Sequence, residues 1–302
     1  MIEARGLTKY YGRTRAVADA TFVVRPGRVT GFLGPNGSGK STTLRLVLGL
    51  DAPTRGEVTV CGRRYRDLRR PLCTVGALLD AGDVLAGRTA TAHLAMLAAC
   101  TGIRAERVDE VLGLVGLADV AGRRVGGFSL GMRQRLGIAA ALLGDPGVLI
   151  LDEPMNGLDT AGIRWIRGLL RDMAGEGRTV LLSSHLMSEL ELVADHLLVI
   201  GAGRLLADQP IGEFVARGSE SVVRVRSADL AALTAALGGA AELRGEVATV
   251  RGLSPREIGR VAADRGIVLD ELTPVRASVE DVYTDLVAAH RQYRQRDVQE
   301  SA

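Results

Sequence analysis

The sequence predicts an α/β protein with a parallel core sheet, followed by a small C-terminal α+β domain. Three observations predict it. Short apolar runs at 29–33, 148–151 and 180–182 read as parallel strands covered on both faces. Segments of helical period stand between them, at 41–50, 89–117, 129–143 and 160–174. After Gly218 the composition shifts, and strand-like and helix-like stretches alternate at short spacing.

Taken in order, the chain to about Val24 reads as strand, with alternation in Thr21-Phe22-Val23-Val24-Arg25 and turn signals at Gly12 and Pro26-Gly27. The run at 29–33 leads through a glycine-rich loop into the first helix. Glu57-Val58-Thr59-Val60 and Val75-Gly76-Ala77-Leu78-Leu79 read as further strands. From Thr89 to Leu117 apolar residues recur three and four apart, with a break at Gly102. Another helix starts near Ser129, and one from about Thr160 separates the last two apolar strands. Beyond Gly218, strands are expected at 222–226, 247–251 and 267–272, and helices at 230–237, 255–265 and 279–288. The predicted division is therefore 1–217, a smaller domain at 218–290, and a polar, disordered tail at 291–302. No internal repeat is present.

Composition narrows the function classes. A hydrophobic share of 47% with 24% charged residues is ordinary for a globular protein. The formal charge of +3, carried by scattered arginines, does not ask for nucleic acid. Three cysteines without C-x-x-C spacing predict a reducing compartment with neither a disulfide framework nor a zinc site. The N-terminus has no signal-peptide pattern, and the longest apolar stretch, 137–151, is interrupted by Asp145-Pro146 and too short to span a bilayer. The expectation is a soluble chain whose work at a membrane, if any, needs another subunit to do the spanning.

Gly34-Pro35-Asn36-Gly37-Ser38-Gly39-Lys40-Ser41-Thr42 matches G-x-x-x-x-G-K-[ST] between a strand and a helix. Glycines let successive N–H groups turn inward, and the helix N-terminus adds positive charge at the same point. Lys40 can then reach β/γ-phosphates, and the Ser41 hydroxyl can ligate Mg²⁺. The plain alternative is a glycine turn that happens to carry a lysine. Lysine occurs only at Lys9 and Lys40 in this arginine-rich chain, so a chance match is on the order of one in a few hundred. A compact ammonium suits a phosphate pocket better than a planar guanidinium.

The run Val148-Leu149-Ile150-Leu151 ends in Asp152-Glu153. A buried strand ending in a carboxylate is how such proteins hold Mg²⁺, here through Asp152, and Glu153 could accept a proton from a water aligned on the γ-phosphate. Taken alone, an Asp-Glu pair before Pro154 reads better as an ordinary turn or helix cap; the preceding phosphate loop makes the catalytic reading the stronger.

Phe128-Ser129-Leu130-Gly131-Met132-Arg133-Gln134-Arg135 then selects a family. The sequence resembles the ATP-binding cassette family, whose signature is usually L-S-G-G-Q; Phe128, Leu130 and Met132 depart from it, while Ser129 and Gly131 are present. Taken alone, Ser129 is a simple helix cap. The resemblance implies a P-loop NTPase fold with a mixed core sheet, an N-terminal antiparallel β-subdomain and a helical subdomain at about 80–140. It implies two copies sandwiching two ATP molecules, each bound by one chain's phosphate loop and the other's Ser129-Gly131 segment. It further implies adenine stacking by Tyr11, with Tyr10 the close rival, and an inter-subunit loop at Asn156-Gly157-Leu158-Asp159. His185, after the 180–182 strand, matches the histidine that contacts the γ-phosphate, whereas His93, His196 and His290 have no such setting. Where the family carries a Mg²⁺-sensing glutamine, Asp80 is the residue that fits best.

Ala277-Ser278-Val279-Glu280-Asp281-Val282-Tyr283 is similar to the C-terminal segment of daunorubicin- and bacitracin-type exporters. The implied function is an ATPase on the cytoplasmic face of the membrane, powering export of a drug, antibiotic or lipid-like substrate through a separate permease. The alternatives are a soluble cassette protein acting on ribosomes or DNA, and a non-catalytic module using ATP as dimer glue. The single cassette and absence of a heptad run weigh against the first, and Glu153 and His185 against the second.

Overall fold

The computed structural model describes residues 1–82, 84–218, 222–275, 279–280 and 282–283. It divides into two compact units, Met1–Pro210 and Ile211–Ala302. In the first unit, strands β1 (Ile2–Tyr11) and β2 (Thr14–Val24) form a hairpin around Gly12-Arg13. Strand β3 (Arg28–Leu33) leads through the glycine loop into helix α1 (Lys40–Val47), and β4 (Arg55–Val60) then joins β1 antiparallel. A short helix, α2 (Pro71–Thr74), precedes β5 (Val75–Leu78). Helices α3 (Ala90–Thr101), α4 (Glu106–Leu114) and α5 (Leu130–Leu142) follow and pack on one another. The unit closes with β6 (Val148–Asp152), α6 (Thr160–Gly175), β7 (Thr179–Ser184), α7 (Met187–Glu191), β8 (His196–Gly201) and β9 (Arg204–Pro210).

The core sheet has the order β5-β6-β7-β3-β8-β9, parallel except for antiparallel β9, so it is mixed. A separate antiparallel sheet, β2-β1-β4, lies beside it. The two share one core: Ile2, Phe22, Val24 and Val60 pack with Phe32, Leu44, Ile150 and Leu198. Burial of both faces explains the uninterrupted apolar run of β6, and alternation in β1 and β2 reflects one solvated face. The break at Gly102 is a left-handed C-cap of α3, and Thr89 caps its start by accepting from Ala92 N at 3.1 Å.

The second unit begins with α8 (Ile211–Gly218). It continues through β10 (Val222–Arg226), α9 (Leu230–Leu237), β11 (Ala241–Arg244), β12 (Val247–Val250), α10 (Pro255–Asp264) and β13 (Glu271–Val275). The antiparallel order β11-β12-β10-β13 is a split β-α-β-β-α-β arrangement. Its core is Val223, Val225, Leu233, Val250 and Ile258, and α10 starts with a Ser254/Glu257 capping box and Pro255.

The strand expected at 267–272 starts only at Glu271. The five-residue β10 pairs Arg226 with Glu271 and offers no edge beyond it, so Ile267 and Leu269 pack on the core as loop residues. Of the helix expected at 279–288, residues 279–280 and 282–283 are helical. The remainder of that stretch, Ala277, Ser278, Asp281 and the 291–302 tail lie outside the described residues. Among the described residues, no helix is long and apolar enough to cross a membrane.

Candidate functional site

Strand β3 is flanked by β7 and β8, so the loop 34–39 leaves the carboxyl edge of the sheet interior, where ligands of open α/β sheets sit. Gly39 has φ +108°, and a Cβ there would stand 2.5 Å from the Ala16 carbonyl; no other residue fits both demands. This brings Ala16 of β2 to the loop, a lining residue that no sequence motif identified. Lys40 is buried, and its Nζ donates to the carbonyls of Gly34 at 2.5 Å and Pro35 at 3.3 Å. Burial pushes the ammonium below the ordinary lysine pKa, and the carboxylates of Glu153 and Asp152 oppose that shift. Ser38 Oγ is buried without a protein hydrogen-bond partner.

The carboxylates arrive on the neighbouring strand end. In the parallel register Asp152 stands beside Ser183. Ser183 Oγ donates to Asp152 Oδ1, and Ser41 Oγ donates to Asp152 Oδ2 at 2.7 Å. Glu153 adopts φ +49°, a left-handed conformation costing about 1–2 kcal/mol for a non-glycine residue. Three contacts hold it there: its N–H donates to Ser183 O at 3.2 Å and to Ser183 Oγ at 3.1 Å, and Gln134 Nε2 donates to its carbonyl at 3.2 Å. The side chain thereby turns towards His185, whose Nδ1 lies 2.8 Å from Glu153 Oε2. Asp152, Glu153, Lys40, Ser41 and Thr42 line one cavity of about 210 Å³, together with loop residues including Pro35, Asn36 and Gly37.

Ser183 and Gln134 carry this geometry, yet the motifs do not mark them. The signal for Ser183 is its place beside Asp152 once the two strands are paired; that for Gln134 is its place on the helix capped by Ser129. Farther back, burial pushes the Glu189 carboxyl above its ordinary pKa, while the Ser184 hydroxyl, donating at 3.2 Å, opposes the shift.

Tyr11 ends β1 at another margin of the loop. Its hydroxyl donates to Asp51 Oδ2 at 2.8 Å, and Arg45 of α1 donates to the same oxygen at 2.7 Å. Tyr10 has no such tie to α1; its backbone N–H donates to Thr54 Oγ1. Of the two tyrosines, Tyr11 is the one joined to α1, through Asp51 and Arg45.

Neither Tyr11 nor His185 lines the phosphate cavity itself, and the remaining sequence-predicted residues outside the loop do not line it either. Ser129 caps α5, accepting from Met132 N at 3.2 Å, and Asp159 caps α6, accepting from Gly162 N at 2.7 Å. Their loops interlock: a Cβ on Gly157 (φ +75°) would meet Leu130 Cγ at 2.4 Å, and one on Gly131 would meet Gly157 O at 2.7 Å. Leu130 itself is 61% exposed, which puts an apolar side chain at the start of α5 in contact with solvent. Asp80 lies in the turn after β5, where Oδ1 accepts from Gly82 N at 2.7 Å.

Comparison with known proteins agrees with this geometry. Residues 17–156 match the ABC transporter family, and residues 221–280 match a domain of unknown function (DUF8746). Bacitracin transport ATP-binding protein BcrA of Bacillus licheniformis is 42% identical over 213 residues, 70% of either chain. Uncharacterized ABC transporter ATP-binding protein YhcH of Bacillus subtilis (strain 168) is 41% identical over 214 residues, again 70% of either chain. Among solved structures, the dimeric bacterial ABC transporter cassette MJ0796 superposes with a TM-score of 0.64 at 25% identity, covering 70% of this chain and 99% of that one. A strand–loop–helix phosphate cradle, a carboxylate pair beside it and relatives at this identity over two thirds of the chain agree: the protein belongs to the ABC transporter family, as an ATP-binding, ATP-hydrolysing subunit.

Proposed function

We propose that this chain powers export of an antibiotic-like or lipid-like substrate through a separate membrane permease, working as a homodimer on the cytoplasmic face of the membrane. The observation that carries the catalytic part is the hydrogen-bonded run Ser41–Asp152–Ser183–Glu153–His185 beside the buried Lys40. The loop amides and Lys40 hold the β- and γ-phosphates. Glu153 accepts the proton of the attacking water, and His185 fixes the carboxylate through one oxygen, leaving the other for that water.

The donors suit Mg²⁺. Ser41 and Asp152 offer a hydroxyl and a carboxylate oxygen side by side, the hard ligands this ion takes. The ion's remaining ligands would be nucleotide phosphate oxygens and water. Bound there, the ion would neutralise charge on the phosphates. Asp80 leaves the sheet on the same edge, because the β5–β6 register sets Leu78 beside Leu151, and would reach the ion through a bridging water.

Ser129, Gly131 and Asp159 stand outside their own chain's cavity, which supports their completing the site of a second copy. Tyr11 stacks on adenine. Similarity to a bacitracin transport protein supports export of that substrate class, and no feature calls for nucleic acid. Phosphate release by the purified chain tests the reading: steady turnover of ATP is expected, with Lys40→Ala abolishing both turnover and ATP binding. Unchanged ATP affinity in Lys40→Ala would overturn the phosphate-loop assignment.

A further inference from the structure

Lys9, the other of the chain's two lysines, has no role in the chemistry above, yet its ammonium makes two specific contacts. Lys9 Nζ lies 4.9 Å from the centroid of the Tyr11 ring and donates to the Ala52 carbonyl at 2.8 Å. Positions two apart on a strand share a face, which puts the ammonium over the ring. Ordering an exposed lysine costs up to about 2 kcal/mol of side-chain entropy, so two specific attachments on one ammonium mark a built contact. The ring's other end is fixed as well. Its hydroxyl reaches Asp51, which Arg45 holds in turn, and those two hydrogen bonds keep the Asp51 carboxyl below its usual range. Arg45 sits in the last turn of α1, the helix whose first residues are Lys40 and Ser41.

We propose that Lys9, Asp51 and Arg45 form a clamp that fixes the Tyr11 ring relative to the phosphate loop, which makes Lys9 and Asp51 positioning residues for the nucleobase. The inference rests on the assignment of Tyr11 to the base. Lys9 covers one face of the ring and leaves the other for the purine. Asp51 sets the tilt by holding the hydroxyl to α1, so the base subsite and the phosphate subsite share one rigid element. The clamp acts on the base alone, since none of its members lines the phosphate cavity.

The test compares ATP with inorganic tripolyphosphate, which fills the phosphate end and has no base. Lys9→Met and Asp51→Ala are each expected to weaken ATP binding, and raise its KM, about three- to tenfold, the size of one cation–π contact or hydrogen bond. Tripolyphosphate affinity and kcat stay within about twofold, which also shows the variants are folded. On a Tyr11→Ala background neither substitution weakens ATP binding further, because both act through the ring. Equal loss of ATP and tripolyphosphate in Lys9→Met, or full additivity with Tyr11→Ala, would overturn the clamp. Selective loss of ATP in Tyr11→Ala with no effect of Lys9→Met or Asp51→Ala overturns the clamp and leaves the base assignment standing. No effect of Tyr11→Ala on ATP removes that assignment, and the clamp with it.

Discussion

Ser183→Ala separates the scaffold of the site from its chemistry. The Ser183 hydroxyl touches neither phosphate nor water in the proposed mechanism; it donates to Asp152 and accepts from the Glu153 N–H at 3.1 Å. Removing it takes away one hydrogen bond to a carboxylate, worth about 1.5–3 kcal/mol. It takes away less at Glu153, whose N–H keeps the Ser183 carbonyl at 3.2 Å. Ser183 is fully buried, so water cannot replace the lost donor without a void. The first unit should therefore lose about 2 kcal/mol, which for a unit of this size lowers Tm by about 4–8 °C. The left-handed turn at Glu153 loses one of its three restraints, so kcat should fall about tenfold while KM for ATP changes little. Circular dichroism melts and steady-state phosphate release on one preparation read both quantities. A Tm within 1 °C of the parent with unchanged kcat would refute the claim that Ser183 holds the two carboxylates in place.

Three further outcomes follow from named contacts. Gly157→Ala meets both a positive φ and the Leu130 side chain, so it should destabilise by at least about 1 kcal/mol and slow turnover; Leu130→Gly in the same chain should recover part of the loss, and thermal melts of the pair decide it. The folded pKa of Glu189 is raised by burial, so its contribution to stability is complete below the unfolded value of about 4.3 and is lost as pH rises through the folded value. Glu189→Gln should then raise Tm relative to the parent at pH 8, with the gain vanishing near pH 4; a gain independent of pH would contradict the shift. Ser41→Ala should raise the Mg²⁺ concentration needed for half-maximal turnover about tenfold, read by titrating the ion at saturating ATP, and an unaltered requirement would remove Ser41 from the ligand set.

What was legible in the sequence followed physical constraint. Strands β3, β6 and β7 are covered on both faces and announced themselves as apolar runs, and the phosphate loop was readable because glycine, lysine and serine each answer a distinct demand. Strand β9 was not, since it is a half-exposed antiparallel edge carrying Arg204, Asp208 and Pro210. Its partner β8 reads as apolar in His196-Leu197-Leu198-Val199-Ile200, and the two-residue turn Ala202-Gly203 between them is the one local signal of the hairpin. Asp152 and Glu153 were found by chemistry, but Ser183 and Gln134, which orient them, gain their meaning only from strand register and helix packing. The same holds for Tyr11: the ring was recognisable, while Asp51 and Arg45 reach it through a contact between segments distant in the chain.

The central claim is that the site is complete only when two copies close around ATP and that Glu153 then takes the proton from water. Glu153→Gln tests it in one measurement, sedimentation of the purified variant with MgATP while phosphate release is followed. A stable ATP-bound dimer is predicted, with turnover reduced about 10²- to 10⁴-fold. A monomer under saturating ATP, or turnover at the parent rate, would contradict the account.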